Sequence, residues 1–247
     1  MTSDEWNCFS DFRNEFAEKV AEWNRFSGEL FPLQKAAASL DTPLYNIENP
    51  IVYNTALDSV LPEDDIKLIV IGDNPGKNEQ LNKNRKYLVG QSGKLAEGFF
   101  RRNGELGVDF RGNAIILNKT PVHTAKTNHL KYLLKNGSAE IRQLIEESQI
   151  WFAKATARLH QNLKGCKLWL VGYAELKNGG IFTLYRNELE KSYDKNSSWN
   201  DVYVFQHFSM NCFSRDLNAF REKNPDLCMK KSLESLGILH RNEIFGH

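Results

Sequence analysis

Four polar side chains that could act on a bound ligand follow directly after short apolar runs: Asp73, Asn74, Asn118 and His207. A side-chain amide offers one acceptor and two donors, so Asn118 could pair with both a ring N–H and a ring carbonyl. A histidine could donate a hydrogen bond to charge that develops on a leaving group. The alternatives are structural: an asparagine that ties down its own loop and a histidine that serves only packing.

The segment Gly72-Asp73-Asn74-Pro75-Gly76 predicts a tight turn. Its glycines allow close backbone approach and positive φ, and proline fixes the turn. Such a turn can present backbone N–H groups to a carbonyl or an anion. Neither Gly-x-Gly-x-x-Gly nor Gly-Lys-Ser/Thr follows, so the turn is not a dinucleotide fingerprint or a Walker loop. A purely structural turn remains the alternative.

The apolar runs themselves predict buried strands at about 66–71, 113–118, 167–171 and 202–206. Helical stretches separate them, which predicts a three-layer α/β/α fold with a central, mostly parallel four-stranded sheet. All four carboxyl ends then lie at one edge, where ligands bind in open α/β sheets. That edge would collect the four polar side chains.

Helical periodicity predicts the elements around this sheet. An aromatic stripe predicts a helix at about 4–27, and three prolines make 40–62 irregular. We further expect helices at about 92–104, capped by Ser92, at 138–162 after Ser138, at 181–192, and at 228–236, ended by Gly237. No linker or repeat interrupts the chain. We therefore expect one domain over 1–247, with an N-terminal helical segment of about 1–40 packed on it.

Composition is that of a soluble globular protein with a formal net charge of +1. Charge is unevenly distributed: residues 1–65 carry 4 Lys/Arg against 13 Asp/Glu, and residues 77–142 carry 13 against 5. The basic stretch either tracks a phosphate backbone or is a solvated surface. The acidic, polar N-terminus and the lack of long apolar runs predict a cytoplasmic protein without a membrane partner.

The cysteines predict no metal or iron–sulfur site, because none is paired as Cys-x-x-Cys. We expect free, mostly buried thiols and no cofactor. The four positions are Cys8, Cys166, Cys212 and Cys228.

Taken together, the ends of the apolar runs resemble the motifs of the uracil-DNA glycosylase superfamily, nearest its single-strand-selective and mismatch-specific branches. The first turn resembles the Gly-x-Asn-Pro-Gly motif of those branches. The resemblance covers about 45–215. The other matching segments are Asn49–Tyr53, Lys86–Leu95, Ile115–Asn118 with Pro121, Val171–Glu175 and His207–Asn211.

The resemblance implies excision of uracil, or of a related damaged base, from DNA after the base is flipped into a pocket. Asn118 would pair with N3–H and O4 of uracil. His207 would stabilise the departing uracil anion at O2. Asn74 would position the attacking water, since an amide cannot act as a general base. Asp73 is the alternative water-handling group, because the iron–sulfur branch has an acidic residue there.

The resemblance also assigns contacts around these groups. The pocket would include Gly72, Pro75, Gly76, Tyr87 and Leu88. The DNA backbone would contact Ser92, Ser209, Met210 and Asn211.

Three departures from the family pattern stand out. Leu88 replaces the stacking aromatic residue, while the adjacent Tyr87 should point elsewhere. Phe208 and Met210 replace prolines of the last motif. Leu117 stands where a cluster cysteine would be expected, so the resemblance implies no iron–sulfur cluster.

Three functions therefore compete. The chain is an active, monomeric base-excision glycosylase, a module that binds nucleic acid or a base without cleaving it, or a hydrolase for a different base or nucleoside. The four polar residues favour the first. Leu88, Phe208 and the nearly neutral overall charge favour the other two.

Overall fold

The predicted central strands form one four-stranded sheet. The computed structural model describes residues 1–193 and 196–246. Its strands are β1 (Leu68–Gly72), β2 (Ala114–Asn118), β3 (Lys167–Val171) and β4 (Val202–Phe205). They pair in the order β2-β1-β3-β4, and every pair is parallel, which confirms the predicted sheet and three-layer α/β/α class.

Helices cover this sheet. They are α1 (Ser3–Trp23), α2 (Ser27–Ser39), α3 (Gln91–Arg102), α4 (His129–Asn136), α5 (Ala139–Asn162), α6 (Tyr173–Leu176), α7 (Thr183–Tyr193), α8 (Cys212–Lys223) and α9 (Met229–Phe245). Phe100 of α3 and Phe213 of α8 pack against Trp169 on one face, and α9 packs on the same face beside Phe205. On the other side α5 and α7 pack together, and α1 packs on α5.

The N-terminal helix forms for the predicted reason, although it ends early. Thr2 and Glu5 make a capping box that begins α1, and its aromatic stripe is buried. Within that stripe Phe16 meets Phe152 of α5 edge-on, with ring centroids 4.9 Å apart. The helix ends at Trp23 rather than near residue 27, and a 3-10 turn leads into α2.

Several helix predictions need correction. Ser92 does not cap α3, because Gly90 is the N-cap residue and Ser92 lies inside the first turn. Gly237 does not end the last helix, which continues to Phe245 and is followed by left-handed Gly246. No helix was predicted at α4, α6 or α8, and α2 was covered only by the N-terminal helical segment of about 1–40. The prolines do keep 40–62 irregular, apart from a 3-10 turn over Thr55–Ser59.

The cysteines are free, as predicted, but they are not mostly buried. Only Cys166 is buried, Cys8 and Cys212 are half-buried, and Cys228 is exposed. Among residues 1–193 and 196–246, no three His, Cys, Asp or Glu side chains are grouped to hold a metal ion. Within the same residues, the helices lack the length and apolar character needed to cross a bilayer.

The buried glycine of α9 provides a test of this packing. A Cβ at Gly237 would lie 2.7 Å from Cβ of Tyr203 and 2.8 Å from Cζ of Phe205. We expect Gly237→Ala to lower the free energy of unfolding by about 1–3 kcal/mol, because helix and strand must separate. Urea unfolding measures this. Gly28→Ala in α2, where nothing lies within 4 Å of the added carbon, is the control and should not destabilise the protein. Equal stability of both variants would contradict the close approach.

Candidate active site

The carboxyl ends of the four strands surround a cavity of about 460 Å³. The structure brings the four polar side chains named from the sequence together in its wall. These are Asp73 and Asn74 after β1, Asn118 at the end of β2, and His207 after β4.

Asn118 presents an unsatisfied amide to this cavity. The side chain is buried, and its Nδ2 has no hydrogen-bond partner among the described residues. The strand register places Asn118 opposite Gly72, where a Cβ would lie only 2.4 Å from the Asn118 Oδ1. The absence of a side chain at Gly72 therefore makes room for the amide. Because an unpaired buried donor costs about 1–3 kcal/mol, a ligand acceptor at Nδ2 would be favourable.

Asn74 is held by its amide nitrogen. Nδ2 donates to Oγ1 of Thr124 at 2.8 Å and to the Val122 carbonyl at 3.2 Å. Thr124 in turn donates through Oγ1 to the carbonyl of Lys126 at 2.8 Å. Since both amide hydrogens point to the protein, the acceptor Oδ1 is the group of Asn74 left for a ligand or a water.

Asp73 forms a buried ion pair with Lys119. The Lys119 Nζ lies 2.7 Å from Oδ1 of Asp73 and also donates to the carbonyls of Gly72 and Val171, at 3.2 and 2.7 Å. Burial lowers the pKa of the fully buried lysine, and the facing carboxylate opposes that shift. Three acceptors converge on the ammonium group, so it is satisfied inside the protein.

The same ion pair restricts what Asp73 can do. One carboxylate oxygen faces Lys119, and the other accepts from Oγ1 of Thr127 at 3.3 Å. Gly172 packs against it with φ +97°, and a Cβ there would lie 2.2 Å from Oδ1 of Asp73. Asp73 is therefore fixed in a structural network, which makes Asn74 the better candidate for holding water.

His207 is oriented as a neutral donor. Its Nδ1 lies 3.1 Å from the Ser209 backbone nitrogen, which can only donate, and 2.7 Å from Ser209 Oγ. Nδ1 is therefore the acceptor, and the neutral ring carries its hydrogen on Nε2. Burial lowers the pKa of His207 below 6.5; the Asp73 charge raises it, and the Lys119 charge lowers it further. At neutral pH the site offers an Nε2–H donor.

Of the two adjacent residues that the resemblance places in the base pocket, Leu88 lines the cavity and Tyr87 does not. Leu88 lines the cavity in a left-handed conformation, with φ +51°. Tyr87 points away, as expected, and donates from its hydroxyl to the Val52 carbonyl at 2.6 Å. Apart from His207, no aromatic ring belongs to the described residues that line the cavity.

The first turn supports the site mainly through its backbone. Gly76 lines the cavity, whereas Pro75 is buried and its carbonyl accepts from the backbone N–H of Thr124 at 3.2 Å. Neither Gly72 nor Gly76 adopts a positive φ, so that expectation is wrong. Close approach, at Gly72, is the property that this turn uses.

The residues expected to contact DNA lie on the rim. Ser92 and Ser209 line the cavity. Met210 and Asn211 are exposed and left-handed, with φ +53° and +57°, whereas Phe208 is buried against Phe213. In the loop after β4, the side chains of Met210 and Asn211 are thus exposed, and the buried side chain of Phe208 holds the loop in place.

The basic stretch also reaches this rim. Lys126 lines the cavity, and exposed Lys77 follows Gly76, which lines it too. Exposed Lys94 lies in the first turn of α3, two residues after Ser92. Not all of the counted charges are on the surface, because Lys119 is buried. The sequence count therefore overstates the charge that a nucleic acid could meet.

Sequence reasoning missed Lys119 and Glu79. Lys119 directly follows the predicted strand end, which is the one signal that could have placed it inside. Glu79 lines the cavity, accepts from the Gly76 backbone N–H at 3.0 Å, and has a pKa raised by burial to about 7. No local pattern distinguishes that glutamate from a surface residue.

Comparisons of the chain with protein-family models, with curated proteins and with solved structures found no match.

Proposed function

We propose that this protein is a DNA glycosylase that hydrolyses the N-glycosidic bond of uracil, or of a related damaged base, in base-excision repair. One observation carries the proposal: the buried Nδ2 of Asn118, which has no partner among the described residues, shares a cavity with the neutral Nε2–H donor of His207. The resemblance of the strand-end motifs to uracil-DNA glycosylases supports it.

Base selection would rest on Asn118. Its Nδ2 would donate to O4 of a flipped uracil, and its Oδ1 would accept from N3–H. Uracil would thereby satisfy a donor that the described part of the chain leaves unpaired. Cytosine presents the opposite pattern at these positions, so it would leave like groups facing each other.

Bond cleavage would follow from the remaining groups. The C1′–N1 bond breaks, its electron pair stays with uracil, and the sugar becomes an oxocarbenium-like cation. The Nε2–H of His207 donates to O2 and stabilises the anion as it forms. A water held by Oδ1 of Asn74 adds to C1′ and loses its proton to solvent. The products are free uracil and an abasic sugar.

Changing the base-reading amide should change specificity. We expect Asn118→Asp to lower uracil excision by on the order of 10²-fold, because an ionised carboxylate cannot donate to O4. It should favour a ring that presents donors, such as cytosine. Single-turnover assays on uracil- and cytosine-containing oligonucleotides measure both effects. Asn218→Asp on the exposed face of α8 is the matched control. Unchanged activity and preference would show that Asn118 does not read the base.

Binding to nucleic acid should weaken steeply with salt. Each lysine that contacts a phosphate of duplex DNA contributes about 0.9 to the slope of log affinity against log salt concentration. We expect Lys77→Gln/Lys94→Gln to reduce that slope by about 2. Lys230→Gln/Lys231→Gln, at the opposite edge of the sheet, should leave it unchanged. Fluorescence anisotropy over a salt series measures the slopes, and a flat wild-type dependence would count against a nucleic-acid partner.

The absence of a stacking aromatic among the described cavity residues favours a second candidate. Leu88 stands where the family pattern has a stacking aromatic residue, so a bound base would gain less stacking energy. This suits a binding module or a hydrolase for a different base or nucleoside. This candidate predicts retained binding with little or no uracil excision.

The test is strand cleavage at abasic sites. Purified protein is incubated with single- and double-stranded oligonucleotides that contain uracil, and the products are treated with alkali. We expect cleavage at the uracil position and none in thymine-containing controls. Tight binding without cleavage would assign the protein to the second candidate.

A further inference from the structure

A second cavity, of about 220 Å³, reaches the amino ends of β1 and β3, whereas the candidate active site lies at the carboxyl ends of the strands. The start of β1 contributes Leu68, the start of β3 contributes Lys167, and α9 contributes Leu233. Among the described residues, the two cavities share no lining side chain. A molecule in the second cavity therefore meets groups that the proposed function does not use.

The interior of the second cavity is apolar and largely aromatic. Trp169 of β3 lies opposite Tyr203 of β4 in the strand register, and Phe205 follows two residues later on the same face of the sheet. The ring centroids of Trp169 and Phe205 are 4.6 Å apart. Leu106, from the 3-10 turn after α3, adds an aliphatic wall. Walls of this kind suit a flat aromatic ring, which buries a large apolar area against them.

The helix α9 leaves this space open. At Gly237 the helix lies so close to Tyr203 and Phe205 that an added Cβ would clash with both. One helical turn earlier, Leu233 lines the second cavity. An apolar cavity of about 150 Å³ is enough to hold benzene, so the second cavity has room for a larger ring system.

Lysine side chains make the wall of the second cavity basic where it meets solvent. Lys67 pairs with Asp65 at 3.3 Å, and Lys167 pairs with Glu234 at 2.8 Å. Lys230 is exposed and lines the cavity, and no carboxylate within residues 1–193 and 196–246 pairs with it. The ammonium group of Lys230 is therefore available to an anionic group of a bound molecule.

These features distinguish between classes of ligand. An inorganic anion would meet Lys230 but leave the aromatic walls uncovered, and a neutral hydrocarbon would cover the walls without using the charge. A cation would be repelled by the three lysines of the lining. A nucleobase carries several polar ring atoms, which aromatic and aliphatic walls do not satisfy. An aromatic carboxylate matches both the apolar walls and the positive charge.

We propose that the second cavity binds a small aromatic carboxylate, with its ring against Trp169 and Tyr203 and its carboxylate at Lys230. The inference does not rest on the proposed function. It holds or fails whether or not the protein releases uracil, because the two cavities are lined by different residues.

The first test is the binding of 2-naphthoate, a two-ring carboxylate, to the full chain, measured by isothermal titration calorimetry. We expect a dissociation constant on the order of 0.1 mM for a ligand of this size. The uncharged analogue 2-naphthamide should bind about threefold more weakly, because it lacks the charge that Lys230 meets. No binding of 2-naphthoate, or equal affinity for the two compounds, would overturn the inference.

The second test reverses the charge at the cavity. We expect Lys230→Glu to weaken 2-naphthoate binding about fivefold and to leave 2-naphthamide binding unchanged. The variant should remain folded, since the helix dipole favours a negative charge in the first turn of α9. Lys131→Glu, which changes an exposed lysine in the first turn of α4, is the matched control. Equal affinity of Lys230→Glu and wild type for 2-naphthoate would contradict the proposal.

The third test locates the bound molecule. Leu106→Trp fills part of the second cavity, so both compounds should bind at least about tenfold more weakly. In wild type, 2-naphthoate should shift the indole N–H resonance of Trp169, which is identified by its loss in Trp169→Phe. The resonance of Trp151 in α5, on the other face of the sheet, should not move. A Trp169 resonance that does not shift would place the binding elsewhere and overturn the inference, whatever the affinity of Leu106→Trp.

Discussion

Replacing Lys119 with methionine is expected to destabilise the protein by about 3–5 kcal/mol, because Asp73 is then left as a buried carboxylate without its cation. Methionine keeps an unbranched side chain that lacks only the position of Nζ, so the loss reports the charge and its three hydrogen bonds rather than a large cavity. Urea unfolding monitored by circular dichroism gives the free energy of unfolding.

Two further variants identify the cause of that loss. Adding Asp73→Asn to Lys119→Met should recover much of the stability, since neither charge is then unpaired. Lys154→Met removes a lysine whose side chain is 62 % exposed and paired with Glu188, and it should change stability little. A Lys119→Met protein as stable as wild type, or a double variant no better than the single one, would contradict the buried ion pair.

Under the proposed function, removing the imidazole of His207 should slow single-turnover excision by about 10²–10³-fold, because one preorganised donor to the developing anion is lost. DNA binding should change much less, since the interaction strengthens only as negative charge builds on uracil. Rapid-quench assays at saturating protein, with anisotropy for binding, separate the two effects. Because burial lowers the pKa of His207 from its ordinary value, protonation of this ring should reduce the wild-type rate only at a lower pH than that at which an exposed histidine gains its proton.

Ser209→Ala provides the graded comparison. It removes the hydroxyl at Nδ1 but keeps the Ser209 backbone N–H that fixes the tautomer. We therefore expect a smaller loss than for His207→Ala. A larger loss in Ser209→Ala, or a wild-type rate in His207→Ala, would show that the ring does not stabilise the leaving group.

The sheet was predictable because parallel strands buried on both faces leave continuous apolar runs. The four runs lie within two residues of the observed strands, and their ends identify the polar edge. Helices that bury an aromatic stripe, such as α1, could also be predicted from the sequence. In contrast, α2 has a weak amphipathic pattern and contains Pro32, and α4 is only 8 residues long.

Gly237 shows why local signals misplace a helix end. A glycine after an apolar pattern reads as a terminator, yet here it lets α9 approach β4. Whether a glycine ends a helix or permits close packing depends on the partner element, which the local sequence does not contain.

The polar residues of the candidate site could be predicted from the sequence, but the role that each of them could take could not. From the sequence, Asp73 and Asn74 are equally good candidates for the residue that holds the water. The contacts of Asp73 with Lys119 and Thr127 distinguish them in the structure. The ammonium of Lys119, which follows β2, is satisfied by groups at the ends of β1 and β3, so its burial is a property of the assembled sheet. Likewise, the tautomer of His207 depends on one backbone N–H two residues later.

The most direct test of the account is release of free uracil, measured by mass spectrometry after a uracil-containing oligonucleotide is mixed with excess protein. We expect wild type to release the base and leave an abasic strand, and Asn74→Ala/His207→Ala to release none on the same timescale while remaining folded and bound to DNA. Release by the double variant at the wild-type rate would show that this cavity is not where the bond breaks. No release by wild type would contradict the assignment as a glycosylase.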